Sequence, residues 1–211
     1  MVDRRSQQRR RLYAQVPQLP PVGEIDLSGL FGDRETEREL EIGFGRARFL
    51  LARAEQEPGV RLLGIETRRK WVHRAAERTR RRGLPNVLVR CGDAREALSR
   101  MRPDASLARI FVNFPDPWWK ARHAKRLVVG EDLLEQIARL LVDGGELFVQ
   151  TDVEFRADSY REALSACPEL RPASGDGTPK RNPYGAMSSR EIRCRELGLP
   201  IHRLLFRRIE R

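Results

Sequence analysis

The chain is short of lysine, of cysteine and of uninterrupted apolar stretches, and each shortage narrows what it can be. No apolar run approaches the roughly 18 residues that a membrane-spanning helix needs. The Arg-rich start, residues 4–11, is not followed by the apolar segment of a secretory signal, and serine is too sparse there to favour an organelle transit peptide. A cytoplasmic protein is the expectation. Three cysteines, Cys91, Cys167 and Cys194, form no C-x-x-C pair and leave one over in any disulfide scheme, so buried reduced thiols are expected. His73, His123 and His202 are not spaced as metal ligands, and no metal is expected. Lysine supplies only Lys70, Lys120, Lys125 and Lys180 of the 41 basic residues; the rest are arginine, a bias that genome composition can explain by itself.

What is present is a basic chain of ordinary soluble composition. The 41 basic residues face 30 acidic ones, a net charge of +11, which predicts attraction to polyanions such as nucleic acid. At 211 residues the length suits one domain. Residues 1–37 read as a polar, Pro-containing lead-in, and residues 38–211 as the folded domain.

Within that domain, apolar runs alternate with amphipathic segments. The runs predict strands near 39–42, 61–65, 87–90, 109–112 and 146–150. The amphipathic segments predict helices over 48–56, 69–82, 94–101, 132–141 and 154–166. Five such alternations, joined by right-handed crossovers, imply an α/β fold with a mostly parallel sheet covered by helices on both faces. After a Gly/Pro-rich break at 171–184, a short helix and a last apolar stretch, 200–209, suggest an antiparallel C-terminal edge strand. Nothing distinguishes a monomer from a homodimer.

Ligands of open α/β sheets bind beyond the carboxyl ends of the strands, at the switch in strand order. The chemically informative residues follow strands here. Gly43 and Gly45 follow the first, in a turn that lets backbone approach a ligand closely. Arg48 stands where a dinucleotide fingerprint would need a small residue, which argues against nicotinamide or flavin. Glu66 ends the second strand, 21 residues after Gly45, a spacing suited to gripping ribose hydroxyls. Asp93 follows the third, placed to accept from an adenine amino group or to cap a helix. Together with the Leu141-Val-Asp-Gly-Gly-Glu-Leu147 turn, these pieces resemble a class I S-adenosyl-L-methionine-dependent methyltransferase, a Rossmann-like fold, over residues 38 to about 210. Ala47 and Asp143 depart from that pattern, at positions usually held by glycine and proline.

The stretch after the fourth strand is VNFPDPWWKARHAKR, residues 112–126. If that strand lies beside the first, Asn113 and Asp116 face the methyl donor. Pro115 and Pro117 stiffen the backbone around Asp116. A carboxylate there can accept two hydrogen bonds from the guanine edge that carries the ring N–H and the exocyclic amine. Trp118 and Trp119 can stack on an unpaired base, and Lys120, Arg122, Lys125 and Arg126 can hold phosphates.

This stretch is similar to the N-F-P-D-P-W-P-K-K-R-H-x-K-R-R signature of the bacterial one-component tRNA (guanine-N7-)-methyltransferases, with Trp119, Ala121 and Leu127 departing from it. Thr151-Asp152 resembles that family's T-D pair. Ser188-Ser-Arg-Glu-Ile-Arg-Cys194 resembles its T-x-Y-E-x-K-F motif, with Arg190 for tyrosine and Cys194 for phenylalanine. The resemblance covers about residues 30–207. It implies that S-adenosyl-L-methionine is bound by Glu41, Gly43, Gly45, Glu66, Asp93, Asn113 and Asp116, with Asp116 also catalytic. It implies that tRNA is contacted by Lys120, Asp152, Ser188, Ser189, Arg190 and Glu191, and that the product is 7-methylguanosine at guanine-46 of the variable loop. Two rival readings are a class I methyltransferase for a small molecule or protein, and an RNA-binding protein without catalysis.

Overall fold

The computed structural model describes residues 13–32, 36–115 and 130–211. In chain order, the elements begin with β1 (Ile25–Asp26), α1 (Leu27–Phe31), β2 (Arg38–Ile42), α2 (Arg48–Gln56) and β3 (Arg61–Glu66). Next come α3 (Arg69–Arg82), β4 (Val87–Cys91), α4 (Ala94–Arg100), β5 (Met101–Arg102) and β6 (Leu107–Asn113). The chain closes with α5 (Glu131–Leu140), β7 (Leu141–Thr151), α6 (Glu154–Ala166), β8 (Leu170–Pro172), α7 (Ser189–Glu196) and β9 (His202–Arg208).

Seven strands form one sheet in the order β4-β3-β2-β6-β7-β9-β8. The first five run parallel, and β9 is antiparallel to both β7 and β8. The expected α/β architecture and the antiparallel C-terminal strand are therefore present, with the three-residue β8 outside β9. The order reverses between β2 and β6, whose partners include Glu41↔Phe111 and Ile42↔Val112. That crevice is the switch point where strand ends leave room for a ligand.

Burial explains why the sheet sits centrally. All five residues of β2 are buried, as a parallel strand covered on both faces requires. One apolar cluster gathers Leu40, Ile110, Val112, Leu147 and Val149 from the sheet with Leu98, Leu134, Ile137 and Leu164 from helices. A second packs Leu50, Leu51 and Ala54 of α2 and Val72 and Ala75 of α3 against Leu62, Val87 and Val89.

Part of the N-terminal segment joins this core. The Cys91 amide donates to Pro17 O at 2.8 Å and the Leu19 amide to Cys91 O at 3.1 Å, while Ile25 and Leu27 are buried. The turn Asp143-Gly144-Gly145 lies within β7 rather than before it. Leu107 pairs with Leu141 and Arg109 with Glu146, so the extra residues form a bulge, with Gly144 at φ 75°. The three cysteines are free, but only Cys194 is buried; Cys91 and Cys167 are half-buried, contrary to the expectation for all three.

Candidate active site

A cavity of about 620 Å³ opens at the carboxyl ends of β2 and β6. The turn after β2 forms one wall. Gly43 and Gly45 both have positive φ, 71° and 51°, which glycine adopts without steric cost. Ala47 also takes the left-handed conformation, at φ 54° and ψ 28°, which glycine adopts at lower cost.

Glu41, at the end of β2, lines this wall and is 2 % exposed. Asn113 Nδ2 donates to its Oε1 at 3.0 Å, whereas its Oε2 is buried without a hydrogen-bond partner among the described residues. Burial pushes the Glu41 carboxyl up to about 8, opposed by the Asn113 hydrogen bond. A buried acceptor facing a cavity is costly unless something binds there. The residues present thus suit a ligand that brings a cationic or hydrogen-bond-donating group.

Glu66 stands behind the turn, 4 % exposed. The Gly45 amide donates to its Oε2 at 3.0 Å and the Arg68 amide to its Oε1 at 2.9 Å, which ties the glycine turn to the start of α3. Asp93 lies apart from the cavity lining. It caps α4 by accepting from the Arg95 amide at 3.0 Å, and the Arg95 guanidinium holds its carboxyl below the usual range.

Asn113 and Phe114 form the second wall. Phe114 has φ 51°, a conformation that costs a bulky residue about 1–3 kcal/mol and recurs at functional sites. Its amide donates to Gln150 O at 2.8 Å. Asp116 and Lys120, with the rest of segment 116–129, lie outside the described residues.

The third wall comes from α7. Ser188 caps this helix, accepting from the Glu191 amide at 3.1 Å. Ser188, Ser189 and Arg190 line the cavity. Arg190 Nε donates to Asp152 Oδ2 at 3.0 Å, joining the end of β7 to α7. Glu191 is 1 % exposed and turned inward, its Oε1 accepting from Arg203 at 3.1 Å and its Oε2 from Asn182 at 3.0 Å and Gln150 at 3.2 Å. Tyr184 anchors the preceding segment, its ring against Phe111 and Phe148 and its hydroxyl donating to Glu146 at 2.8 Å.

The fold therefore brings Glu41, Gly43, Gly45, Asn113, Ser188, Ser189 and Arg190 around one cavity. Glu66, Asp152 and Glu191 brace it from behind, and Asp93 stays to one side. Sequence reasoning missed Gln150, Asn182 and Arg203. Asn182 falls in an irregular segment that gives no periodic signal, and Gln150 differs from its neighbours only as a polar residue inside an apolar strand.

Among the described residues no group of three His, Cys, Asp or Glu side chains could hold a metal, and no helix is long and apolar enough to cross a membrane.

This strand order, with a glycine turn and acidic strand ends around the switch point, defines a class I S-adenosyl-L-methionine-dependent methyltransferase. Structural likeness agrees. The 16S rRNA methyltransferase KamB superposes with a TM-score of 0.62 at 17 % identity, covering 92 % of this chain and 99 % of that one. The family model described as "Putative methyltransferase" matches residues 35–204. A tRNA (guanine-N(7)-)-methyltransferase of Trichormus variabilis is 33 % identical, covering 90 % of this chain and 90 % of that protein. Another, of Hydrogenovibrio crunogenus, is 38 % identical, covering 88 % and 77 %. The chain belongs to the tRNA (guanine-N(7)-)-methyltransferase family.

Proposed function

We propose that this enzyme methylates N7 of guanine-46 in the variable loop of tRNA, working in the cytoplasm where that substrate is found. The observation that supports the reading is one cavity lined by both the Glu41–Gly45 turn, taken as the donor's side, and the Ser188–Arg190 segment, taken as the substrate's side. The relatives' names supply the substrate class.

When bound, S-adenosyl-L-methionine supplies an electrophilic methyl group on a sulfonium. Held at the Glu41–Gly45 turn, the donor would supply that methyl group to the free lone pair of guanine N7. N7 carries no proton in the neutral base, so no general base is needed, and orientation can supply much of the acceleration. Glu41 offers its free oxygen to a cationic part of the donor, Gly43 and Gly45 allow close backbone approach, and Glu66 and Asn113 hold these elements in place. Asp93, two residues after β4, would accept from the donor's adenine amino group.

Asp116 orients the guanine and offsets the positive charge that develops on it. Lys120, Ser189, Arg190 and Asp152 contact the RNA, while Ser188 and the buried Glu191 act by fixing α7. The position is tested by treating tRNA with the enzyme and donor, then cleaving the chain at 7-methylguanosine. A single break at guanine-46, lost when that base is changed to adenine, supports the reading. Breaks elsewhere refute the position, and methyl transfer to a small molecule or protein alone refutes the substrate class.

A further inference from the structure

A basic cluster centred on Trp71 stands at the rim of the cavity, whose lining includes Arg46 and Trp71. The indole is half-buried, packed against the α2–α3 core cluster. Three exposed cations stand over it: Arg46 Cζ at 5.6 Å from the ring centre, Lys70 Nζ at 5.4 Å and Arg74 Cζ at 5.4 Å.

All three lie within about one Debye length of one another, ~10 Å at moderate salt, so they repel. The carboxylates of the neighbourhood are engaged elsewhere: Glu66 by Arg68, Glu55 by Arg82, and Glu77 beside His73 at 3.7 Å. Cation–π attraction offsets the repulsion only in part, since each exposed contact is worth about 0.5–1 kcal/mol.

The surrounding helix starts deepen the imbalance. α2 opens with Arg48 and α3 with Arg69 and Lys70; neither has an acidic residue in its first turn or a side-chain cap. The helix dipole favours the opposite charge at both places. Folding alone gives no reason to gather cations here, whereas a polyanion would relieve both costs.

From this we infer that Arg46, Lys70 and Arg74, gathered on Trp71, form a docking surface for the tRNA phosphate backbone that extends outward from the cavity rim along the start of α3. The inference rests on the tRNA reading and adds the surface that positions the RNA body. Phosphate contacts of this kind set register and salt dependence without reading sequence.

The test compares the wild-type enzyme with a double variant, Lys70→Gln/Arg74→Gln, and with the charge-retaining Lys70→Arg/Arg74→Lys. Affinity for unmodified tRNA is measured over a salt series, with donor affinity and thermal midpoint alongside. The surface predicts binding weakened by about tenfold or more at low salt, and a log–log salt slope shallower by about one for each cation removed. It also predicts an unchanged donor affinity, a midpoint no lower than wild type, and wild-type tRNA binding in the charge-retaining variant. The inference is overturned if the double variant binds tRNA with wild-type affinity and slope, or if donor affinity falls in parallel. Wild-type enzyme that binds tRNA but forms no 7-methylguanosine would refute the reaction and leave the surface standing.

Discussion

The side-chain amide of Gln150 donates to Asn113 Oδ1 at 2.8 Å, deep beneath the cavity floor. Through that contact a continuous polar chain crosses the site. Asn113 donates to Glu41 on one side, and Gln150 donates to Glu191 on the other, with Arg203 Nε donating to Gln150 Oε1 at 3.2 Å. The turn assigned to the donor and the helix assigned to the RNA are thus held in one register by side chains from β6, β7 and β9.

Replacing Gln150 with leucine breaks this chain at its centre. Asn113, Glu191 and Arg203 each lose a buried partner, and an unsatisfied buried group costs about 1–3 kcal/mol. A net loss of about 2–4 kcal/mol is expected in urea unfolding. The KM for tRNA should rise by a larger factor than the donor affinity falls, because Gln150 bonds Glu191 of α7 directly and reaches Glu41 only through Asn113.

Glu41 gives a pH signature. Its carboxyl titrates near 8 in the folded protein and near 4.5 when unfolded. Between those values the folded state holds a proton that the unfolded state has released, so stability falls as pH rises. The contribution is full below about 4.5 and lost as pH passes through about 8. Unfolding measured across this range should show the decline in wild type and a flatter profile in Glu41→Gln. Affinity for the cationic donor should follow the reverse course, tightening as pH approaches 8 in wild type only.

Away from the cavity, Glu39 at the start of β2 is fully buried between two arginines. It accepts from Arg53 at 2.7 Å and 2.9 Å and from Arg109 at 2.9 Å. Arg53 keeps Glu57 and Arg109 keeps Glu37 and Glu146 when Glu39 is removed, so the cost is that of lost buried hydrogen bonds, about 1–3 kcal/mol. Glu39→Ala should lose stability of that order in denaturant while the folded fraction retains wild-type turnover, since the network lies at the opposite end of the strand from the site.

Much of the fold was legible because its elements are long and periodic. The predicted bounds of α2, α3 and α6 agree with the observed ones, and the five parallel strands fall where the apolar runs lie. β1, α1 and β8 were not foreseen: two, five and three residues carry no usable period, and Pro172 in β8 argues against a strand. Met101 reads as the end of a helix but pairs with Ile25 in β5, a contact that only tertiary structure supplies. At the cavity, the placement of Gly45 and Asn113 was legible because strand ends at a switch point are predictable, whereas Glu41 was singled out by the family resemblance. The partners of Glu191 were not, since Gln150 lies 41 residues away in the chain and nothing in local pattern encodes that pairing.

The assignment of Asp116 carries its own kinetic expectation. If it meets the developing charge on guanine, Asp116→Ala should lower kcat by about 10²–10³-fold, as loss of one oriented electrostatic group does elsewhere, with little change in donor affinity. Equal loss of turnover and donor binding would make it a donor-binding residue only.

The most direct measurement of the central claim uses purified enzyme, methyl-labelled S-adenosyl-L-methionine and unmodified tRNA, with the RNA then digested to nucleosides. The account predicts label in 7-methylguanosine and in no other nucleoside. Donor binding without labelled RNA, or label in a different nucleoside, would contradict it.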